Sequence, residues 1–264
     1  MKDARNLQRP SCDELQWDAQ RLACPHAQQD KSRRVRRMFD AIAPTYECVN
    51  FFSSAGRDRY WRREMVRLAE VRHDDVLMDI ACGTGDVARA FANSPVRPAR
   101  IVGVDFSAPM LARAVAHPIK GGGFIAGDAL RLPLADGTAT LVTCAFGIRN
   151  FQNLDAGLRE MHRVLAPGGR AVILEFGLPR ARWLRSPYLF YFRRVMPLAA
   201  TWISRDRSGA YRYLPHSVVS FPGSDEVLAA LTSAGFDRVS AHPRTFGIVS
   251  IYVAAKHPGG LAGR

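Results

Sequence analysis

The stretch that decides the fold class is VLMDIACGTGD, residues 76–86. Its first five residues, VLMDI, form an apolar run with the length of a buried β-strand. The glycine-rich ACGTGD that follows is typical of a tight turn between a strand and a helix, where glycines let the backbone approach a ligand closely. The stretch therefore predicts a strand, a ligand-binding turn and a helix in immediate succession.

Further apolar runs alternate with helix-length segments as far as residue 176. The runs are IVGVD (101–105), FIAG (124–127), ATLVTCA (139–145) and RAVILEF (170–176), and the helical segments are 86–93, 108–116 and 155–165. This alternation predicts βαβ units and a parallel sheet. Residues 167–169, Pro-Gly-Gly, are expected to close the last of these helices. A later helix over 224–234 is expected to precede two strands, 237–242 and 247–255, that form a hairpin at the sheet edge.

The composition favours a soluble protein that attracts an anionic partner. The chain has 264 residues, with 37 Lys and Arg against 24 Asp and Glu, and a net charge of +13. Such a charge suits a membrane surface or a nucleic acid and does not choose between them. Secretion and transmembrane anchoring are disfavoured because no apolar run resembles a signal peptide or a spanning helix. Five cysteines without a CxxC pair argue against disulfides and a metal site, which favours the cytoplasm.

The glycine turn is compatible with two kinds of nucleotide ligand. Gly83, Gly85 and Ala88 satisfy the loose dinucleotide fingerprint, and Asp105 follows twenty residues after Gly85, where an acid can bind ribose hydroxyls. Asp86 would repel a pyrophosphate at the helix start, which favours a nucleoside ligand without phosphate. Without any ligand, the same glycines would form only a tight turn.

A third signal follows the third predicted strand. The carboxylate of Asp128 can accept a hydrogen bond from an adenine amino group, and the small side chain of Ala129 leaves room for the ring.

Four ordered motifs, DIACGTGD, VDFS, GDALRLPLADGT and HRVLAPGG, resemble those of class I S-adenosylmethionine-dependent methyltransferases. Outside this core, MFDAIAPTYECVNFF (38–52), AFGIRNFQN (145–153), LEFGLP (174–179) and AYRYLPHSV (210–218) resemble the ubiquinone/menaquinone-biosynthesis C-methyltransferase family. The likeness covers roughly residues 35–256. It implies an α/β Rossmann-like fold with a mostly parallel seven-stranded sheet, helices on both faces and an N-terminal helical lid.

The resemblance implies transfer of a methyl group from S-adenosyl-L-methionine to a ring carbon of a polyprenylated benzoquinol or demethylmenaquinol. Asp105 would bind the ribose and the pair Asp128-Ala129 the adenine. The full set of implied cofactor residues is Asp79, Gly83, Thr84, Gly85, Asp105, Asp128, Ala129 and Ala145.

The acceptor chemistry points to three further residues. A ring carbon attacks well only when a neighbouring hydroxyl has lost its proton, and a phenol has a pKa of about 10, so the reduced quinol is the expected acceptor. Arg149 can stabilise the phenolate. Tyr46 and Asn50 can orient quinol oxygens or hold a relay water, although Tyr46 also suits a plain packing role. His216 is a further candidate for proton handling.

Residues 180–213 hold eight arginines and one acid, interleaved with tryptophan, tyrosine and phenylalanine. This pattern favours peripheral association with an anionic membrane, the inner face of which would also hold a polyprenyl quinol. A solvated cap over the active site is the alternative. No nucleic acid is expected because no recognised binding module accompanies the charge.

The predicted organisation is a disordered extension over 1–30 and one methyltransferase domain over 31–258. Within that domain, we expect lid helices over 31–70, a cofactor-binding core over 71–178, a substrate-covering insertion over 179–222, and a C-terminal helix with edge strands over 223–256. Two other functions stay open: methylation of another small phenol or lipid, and lipid or RNA binding without catalysis. A homodimer and the choice between benzoquinol and naphthoquinol also stay open.

Overall fold

Seven strands form one sheet in the computed structural model, which describes residues 17–46, 50, 54, 56–179, 181–195 and 209–259. They are β1 (Val76–Ile80), β2 (Arg100–Asp105), β3 (Gly122–Ala126), β4 (Ala139–Ala145), β5 (Leu165–Phe176), β6 (Arg238–Arg244) and β7 (Val249–Ala255). Their order is β3-β2-β1-β4-β5-β7-β6. The first five run parallel, and β7 is antiparallel to both β5 and β6. The mostly parallel seven-stranded sheet and its edge hairpin are therefore confirmed.

Helices cover both faces of this sheet, as predicted. They are α1 (Ala19–Ala23), α2 (Lys31–Ile42), α3 (Asp58–Leu68), α4 (Asp86–Ala92), α5 (Ala108–Ala116), α6 (Leu154–Val164), α7 (Arg182–Phe190), α8 (Ala210–Val219) and α9 (Ser224–Ser233). Side chains alternate across β1, because Leu77 joins a buried cluster with Trp61 of α3, whereas Met78 joins another with Leu158 of α6 and Phe236. Each face thus has its own apolar core.

The junction before β5 differs from the expectation for residues 167–169. Helix α6 ends at Val164, and β5 begins directly afterwards at Leu165. Leu165 pairs with Ala139 and Arg170 pairs with Leu141, so the residues between them form a bulge in the strand. Gly168 adopts a left-handed φ of 76° there, which favours glycine. The Pro-Gly-Gly sequence therefore bends a strand instead of closing a helix.

The described part of the N-terminal extension is packed, so the expectation of disorder over 1–30 is wrong for residues 17–30. Trp17 is only 1% exposed, and its ring lies 4.4 Å from that of Tyr213. His26 Nε2 bonds the carbonyl of Ser217 at 2.9 Å, and Lys31 Nζ donates to the carbonyl of Phe151 at 2.5 Å. Although the segment is mostly polar, burial of the Trp17 ring orders it. Residues 1–16 lie outside the described ranges.

The predicted lid over 31–70 divides into two parts. Helix α2 lies beside the carboxyl ends of the strands, where Asp40 accepts a hydrogen bond from Ser107 Oγ at 2.6 Å. Helix α3 instead buries Trp61 and Met65 against the sheet and belongs to the core. Among the described residues of this lid, α2 and the turn that follows it are therefore the parts placed to cover a ligand.

A buried ion pair joins the segment before β1 to β5. Arg170 donates from Nη1 and Nη2 to Asp75 at 3.0 and 2.7 Å, and it also donates to the carbonyls of Ala69 and Glu70 at 2.5 and 2.8 Å. Asp75 accepts a further bond from Thr140 Oγ1 at 2.7 Å. This network fixes the entry to the central strand.

Candidate active site

The glycine turn after β1 has the conformation that its sequence predicts. Gly83 and Gly85 have left-handed φ angles of 54° and 85°. A Cβ atom on Gly85 would lie 2.8 Å from the ring of Phe124, so a larger residue does not fit there. The backbone N–H of Gly83 donates to Asp105 Oδ2 at 2.8 Å, which ties the turn to the end of β2.

Asp105 is a buried carboxylate held by backbone donors. Its Oδ1 accepts the N–H of Ser107 at 2.8 Å and its Oδ2 accepts that of Gly83. Burial raises the pKa of Asp105, and the bonds from Ser107 and Gly83 oppose that rise. Each carboxylate oxygen can accept a second bond, so the side chain is oriented and still able to bind a ligand.

The first cavity, with about 700 Å³ of empty space, lies beside Asp105 at the carboxyl ends of β1, β2 and β4. This is where open α/β sheets bind their ligands. Asp128 is exposed, and its Oδ1 accepts the N–H of Leu130 at 2.9 Å. Predicted residues that line the first cavity are Gly83, Asp105, Asp128, Ala129 and Ala145.

Three predicted cofactor residues lie beneath this cavity and are not among its lining. Asp79 is buried and accepts a bond from Thr143 Oγ1 at 2.8 Å. Thr84 is buried too, and its hydroxyl has no hydrogen-bond partner among the described residues. Gly85 contributes through its backbone shape. These residues support the turn from behind.

Asp86 does not stand as a bare charge at the start of α4. Its carboxylate pairs with Arg89 at 2.7 Å and with Arg62 at 3.6 Å. The two arginines turn it away from the first cavity and compensate its charge, so the predicted repulsion of a phosphate at this position is not supported.

We expect Asp79 to make stability fall as pH rises. Burial raises its pKa to about 7, against the opposing bonds from Thr143 and the Ala88 N–H. The folded chain therefore keeps a proton that the unfolded chain loses near pH 4, so unfolding releases a proton between these values. Between pH 5 and 7, wild type should lose about 2 kcal/mol relative to Asp79→Asn in urea unfolding. Parallel pH profiles for the two proteins would contradict this expectation.

The second cavity, with about 540 Å³ of empty space, is lined by the three predicted catalytic residues Tyr46, Asn50 and Arg149. Phe39, Tyr46 and Phe146 line both cavities, so the two cavities adjoin. The predicted cofactor residues and the predicted acceptor residues therefore lie in neighbouring spaces that share these aromatic rings.

Arg149 is buried and paired with a carboxylate that the sequence did not single out. Its Nη1 donates to Glu175 Oε1 at 2.6 Å and to the carbonyl of Phe146 at 2.9 Å. Glu175 also accepts the N–H groups of Arg149 and Phe176, at 3.2 and 2.9 Å. Arg149 Nε is buried without a hydrogen-bond partner among the described residues. The guanidinium is therefore held through Nη1, and no hydrogen bond of Nε or Nη2 is found among the described residues.

Tyr46 is a hydrogen-bond donor at neutral pH. Burial of its hydroxyl raises the pKa of Tyr46 to about 12, although a hydrogen bond with Asn50 opposes the rise. The phenol therefore stays protonated and can orient an acceptor oxygen. It cannot serve as a base near pH 7.

Asn150 is a further polar residue at the site. Its Nδ2 donates to the carbonyl of Phe146 at 3.1 Å and its Oδ1 accepts from Tyr213 Oη at 3.0 Å. Two donors, Asn150 and Arg149, thus meet at the carbonyl of Phe146, which has a left-handed φ of 56°. Asn150 stands beside Arg149 in the sequence, and that adjacency was the available signal for it. The sequence contains no comparable signal for Glu175, because that residue lies within an apolar strand.

The remaining candidates lie outside the two cavities. His216 is exposed on α8 and lines neither of them, so a role in proton handling is not supported. His162 packs against Phe236 with ring centroids 5.1 Å apart. Burial raises the pKa of both Cys82 and Cys144, which disfavours a nucleophilic thiolate. Cys12 and Cys48 lie outside the described residues.

A Rossmann-like sheet with a cavity beside Asp105 and an adjoining second cavity defines a class I methyltransferase, for which S-adenosylmethionine is the methyl donor. More closely, the chain belongs to the ubiE/COQ5 methyltransferase family, whose sequence profile matches residues 27–256.

Curated relatives are similar over nearly their whole lengths. The ubiquinone/menaquinone biosynthesis C-methyltransferase UbiE of Geobacter sulfurreducens is 43% identical over 232 residues, covering 86% of this chain and 90% of that protein. The demethylmenaquinone methyltransferase of Thermus thermophilus is 43% identical over 219 residues, covering 82% and 98%.

Solved structures share the fold at low identity. A methyltransferase in complex with the Haloferax volcanii Trm112 activator has a TM-score of 0.59 at 18% identity, covering 83% of this chain and 97% of that chain. Phosphoethanolamine N-methyltransferase 2 of Haemonchus contortus, solved with S-adenosyl-L-methionine, has a TM-score of 0.56 at 15% identity, covering 75% and 52%.

Proposed function

We propose that this protein transfers a methyl group from S-adenosylmethionine to a ring carbon of a polyprenylated quinol, either a demethylmenaquinol or a benzoquinol. The observation that carries the proposal is the pair of cavities that meet at Phe39, Tyr46 and Phe146. One contains an oriented carboxylate, and the other contains a fixed arginine with a free donor. The names of the relatives support the same acceptor class.

The residues of the first cavity fit the cofactor. Asp105 would accept the ribose hydroxyls, because its two oxygens are oriented by backbone donors and retain acceptor capacity. Asp128 would accept the adenine amino group through Oδ2, and Ala129 would leave room for the ring. Gly83 and Ala145 would line the remainder of the cofactor, while Asp79, Thr84 and Gly85 would support the loop.

The residues of the second cavity suit activation of a quinol. The cofactor supplies an electrophilic methyl group when it is bound. Arg149 stabilises the phenolate oxygen next to the attacking carbon, because its bonds to Glu175 and to the carbonyl of Phe146 engage Nη1 alone. Tyr46, protonated at neutral pH, donates to a quinol oxygen, and Asn50 orients Tyr46.

Asp105→Ala is expected to weaken S-adenosylmethionine binding at least tenfold, since charge-assisted hydrogen bonds to ribose contribute about 1.5–3 kcal/mol each. Isothermal calorimetry measures the change. Asp86→Ala is the matched control, because that neighbouring carboxylate turns to Arg62 and Arg89. An Asp105→Ala protein that melts as a folded chain and binds with unchanged affinity would remove Asp105 from the cofactor site.

The proposed activity is tested by incubating the enzyme with radiolabelled S-adenosylmethionine and a panel of acceptors. The panel contains reduced and oxidised benzoquinones and naphthoquinones with a prenyl chain, and a non-prenylated phenol. We expect label on a ring carbon of a reduced prenylated acceptor only. Methyl groups on oxygen, or a preference for the simple phenol, would favour the rival small-molecule methyltransferase. No transfer together with tight lipid or RNA binding would favour a non-catalytic protein.

Helix α7 and the turn Tyr191–Val195 support peripheral association with an anionic membrane. Trp183 and Phe190 are 76% and 66% exposed, and Arg185, Arg193 and Arg194 are exposed beside them. Exposed aromatic rings among arginines suit the boundary between water and anionic lipid. No described helix is long and apolar enough to cross a bilayer. Arg180 and residues 196–208 of the basic stretch lie outside the described ranges.

Arg193→Gln/Arg194→Gln is expected to weaken binding to phosphatidylglycerol vesicles by about thirtyfold at low salt, since each basic residue near such a surface contributes about 1 kcal/mol. The difference from wild type should shrink as salt screens the charges. Vesicle co-sedimentation measures both. Arg238→Gln is the control, because that exposed arginine lies at the start of β6, away from α7. Equal binding by the double variant would exclude this face.

A further inference from the structure

The turn between β6 and β7 combines backbone strain with an exposed aromatic ring. Thr245 and Phe246 have left-handed φ angles of 50° and 58°, and Gly247 follows with 88°. Left-handed backbone is unfavourable for residues that carry a Cβ, especially bulky or β-branched ones. Phe246 is nevertheless 74% exposed, so its ring gains little from packing.

Hydrogen bonds to neighbouring parts of the fold hold this turn in place. Trp61, a buried residue, donates from Nε1 to Thr245 Oγ1 at 2.7 Å. The N–H of Gly177 donates to the carbonyl of Ile248 at 2.9 Å, and that of Ile248 donates to the carbonyl of Thr245 at 3.1 Å. These contacts fix the backbone that projects Phe246 outward. An exposed ring alone is ordinary, but two successive non-glycine residues with left-handed backbone are not, and such strain is typical of functional segments.

This turn lies at the same edge of the sheet as the cavities. Val249 at the start of β7 pairs with Phe176 at the end of β5, so the turn sits at the carboxyl end of the parallel strands. The chain leaves β5 there and enters α7 six residues later. Helix α7, which carries the exposed rings of Trp183 and Phe190, thus follows closely in the chain after the strand end beside Phe246.

We propose that Phe246 is an apolar anchor that inserts into the headgroup and acyl boundary of an anionic bilayer, at a second point beside α7. This inference rests on the proposed function, because a polyprenyl quinol would be drawn from that bilayer. The arginines of α7 and the Tyr191–Val195 turn match anionic headgroups, which identifies a lipid surface as the partner. Two anchors at this edge would hold the second cavity facing the membrane, whereas one would let the protein tilt.

The test variant is Phe246→Gly, which removes the ring and accepts a positive φ without strain. We expect binding to mixed phosphatidylglycerol and phosphatidylcholine vesicles to weaken about tenfold, as for loss of one partly buried aromatic ring. The loss should persist at high salt, unlike that of Arg193→Gln/Arg194→Gln, because apolar burial is not screened. The melting temperature should stay within a few degrees of wild type.

Val115→Ala is the matched control. Val115 is 59% exposed and lies in the last turn of α5. This helix leads into the start of β3, at the amino ends of the parallel strands and so at the other end of the sheet from the cavities. The variant should bind vesicles as wild type does. Unchanged vesicle binding by Phe246→Gly would overturn the anchor, whether or not the melting temperature of the variant falls.

A kinetic comparison separates this inference from the proposed function. Methyl transfer to a long-chain demethylmenaquinol in vesicles should fall in Phe246→Gly, with the effect on KM, whereas transfer to a detergent-solubilised short-chain quinol should not change. Equal loss on both acceptors would place Phe246 in the active site and overturn the anchor. A wild-type enzyme that methylates neither acceptor would instead refute the proposed function, and vesicle binding would still decide the anchor.

Discussion

Arg149→Ala is expected to slow methyl transfer to a reduced prenylated quinol by about 10²–10³, while the affinity for S-adenosylmethionine stays within about twofold of wild type. Removing one preorganised group that stabilises developing charge costs roughly 3–4 kcal/mol. The effect should fall on the chemical step, because Arg149 lines the second cavity and not the first. Single-turnover kinetics with labelled cofactor measure it, with calorimetric cofactor binding in parallel.

The pair with Glu175 makes a second variant necessary. Arg149→Ala leaves the Glu175 carboxylate buried without its cation, which destabilises the fold and could lower activity for that reason alone. In Arg149→Met/Glu175→Gln the buried charge is gone and most of the volume is kept. The double variant should recover the melting temperature and remain slow. Recovery of activity together with stability would show that Arg149 acts only through packing.

Arg149→Lys should restore part of the rate only. An ammonium keeps the positive charge but has a single nitrogen. The guanidinium can bond Glu175 and the carbonyl of Phe146 through Nη1 and still present other N–H groups to a ligand. Near-normal single turnover in Arg149→Ala would remove this residue from the mechanism. Tyr46, which lines both cavities, would then be the better candidate.

Arg170→Ala is expected to lower the free energy of unfolding by about 3–5 kcal/mol, the usual cost of removing one member of a buried ion pair. The substitution leaves Asp75 without its bidentate partner and leaves the carbonyls of Ala69 and Glu70 without their donor. Urea unfolding at pH 7 measures the change. Arg67→Ala is the control, since its pair with Glu64 is exposed and should contribute little.

The pH dependence of this difference provides an independent check. Burial alone would raise the pKa of Asp75, but the hydrogen bonds from Arg170, the Arg72 N–H and Thr140 outweigh it and lower the pKa. A lowered carboxyl pKa stabilises the folded state above the unfolded value, and that contribution is lost as pH falls through the folded value. The stability advantage of wild type over Arg170→Ala should therefore shrink below about pH 4. An advantage that is constant with pH would assign the loss to packing.

The sequence by itself determined the order of strands and helices along the chain and the position of the glycine turn. VLMDI, IVGVD and ATLVTCA became β1, β2 and β4 within one residue of the predicted bounds, because apolar runs of strand length between helical segments have few other ways to bury their side chains. The glycine turn could also be predicted, because the position of Gly85 requires a glycine: it has a positive φ and no room for a Cβ. Asp105 followed from its spacing, because the carboxyl ends of parallel strands meet at one edge.

Only the tertiary structure decided which distant residues meet. Trp17 packs on Tyr213, nearly two hundred residues away, and no local pattern in a polar segment announces such a contact. In the sequence, Glu175 is a single charged residue within an apolar strand, and only the fold shows that it pairs with Arg149. Phe246 likewise has an ordinary sequence context, and its turn is held by the bonds of Thr245 to Trp61 and of Ile248 to Gly177. Local sequence encodes periodicity and backbone preference. The pairing of buried charges and the shared lining of the two cavities depend instead on packing across the sheet, between residues that are far apart in the chain.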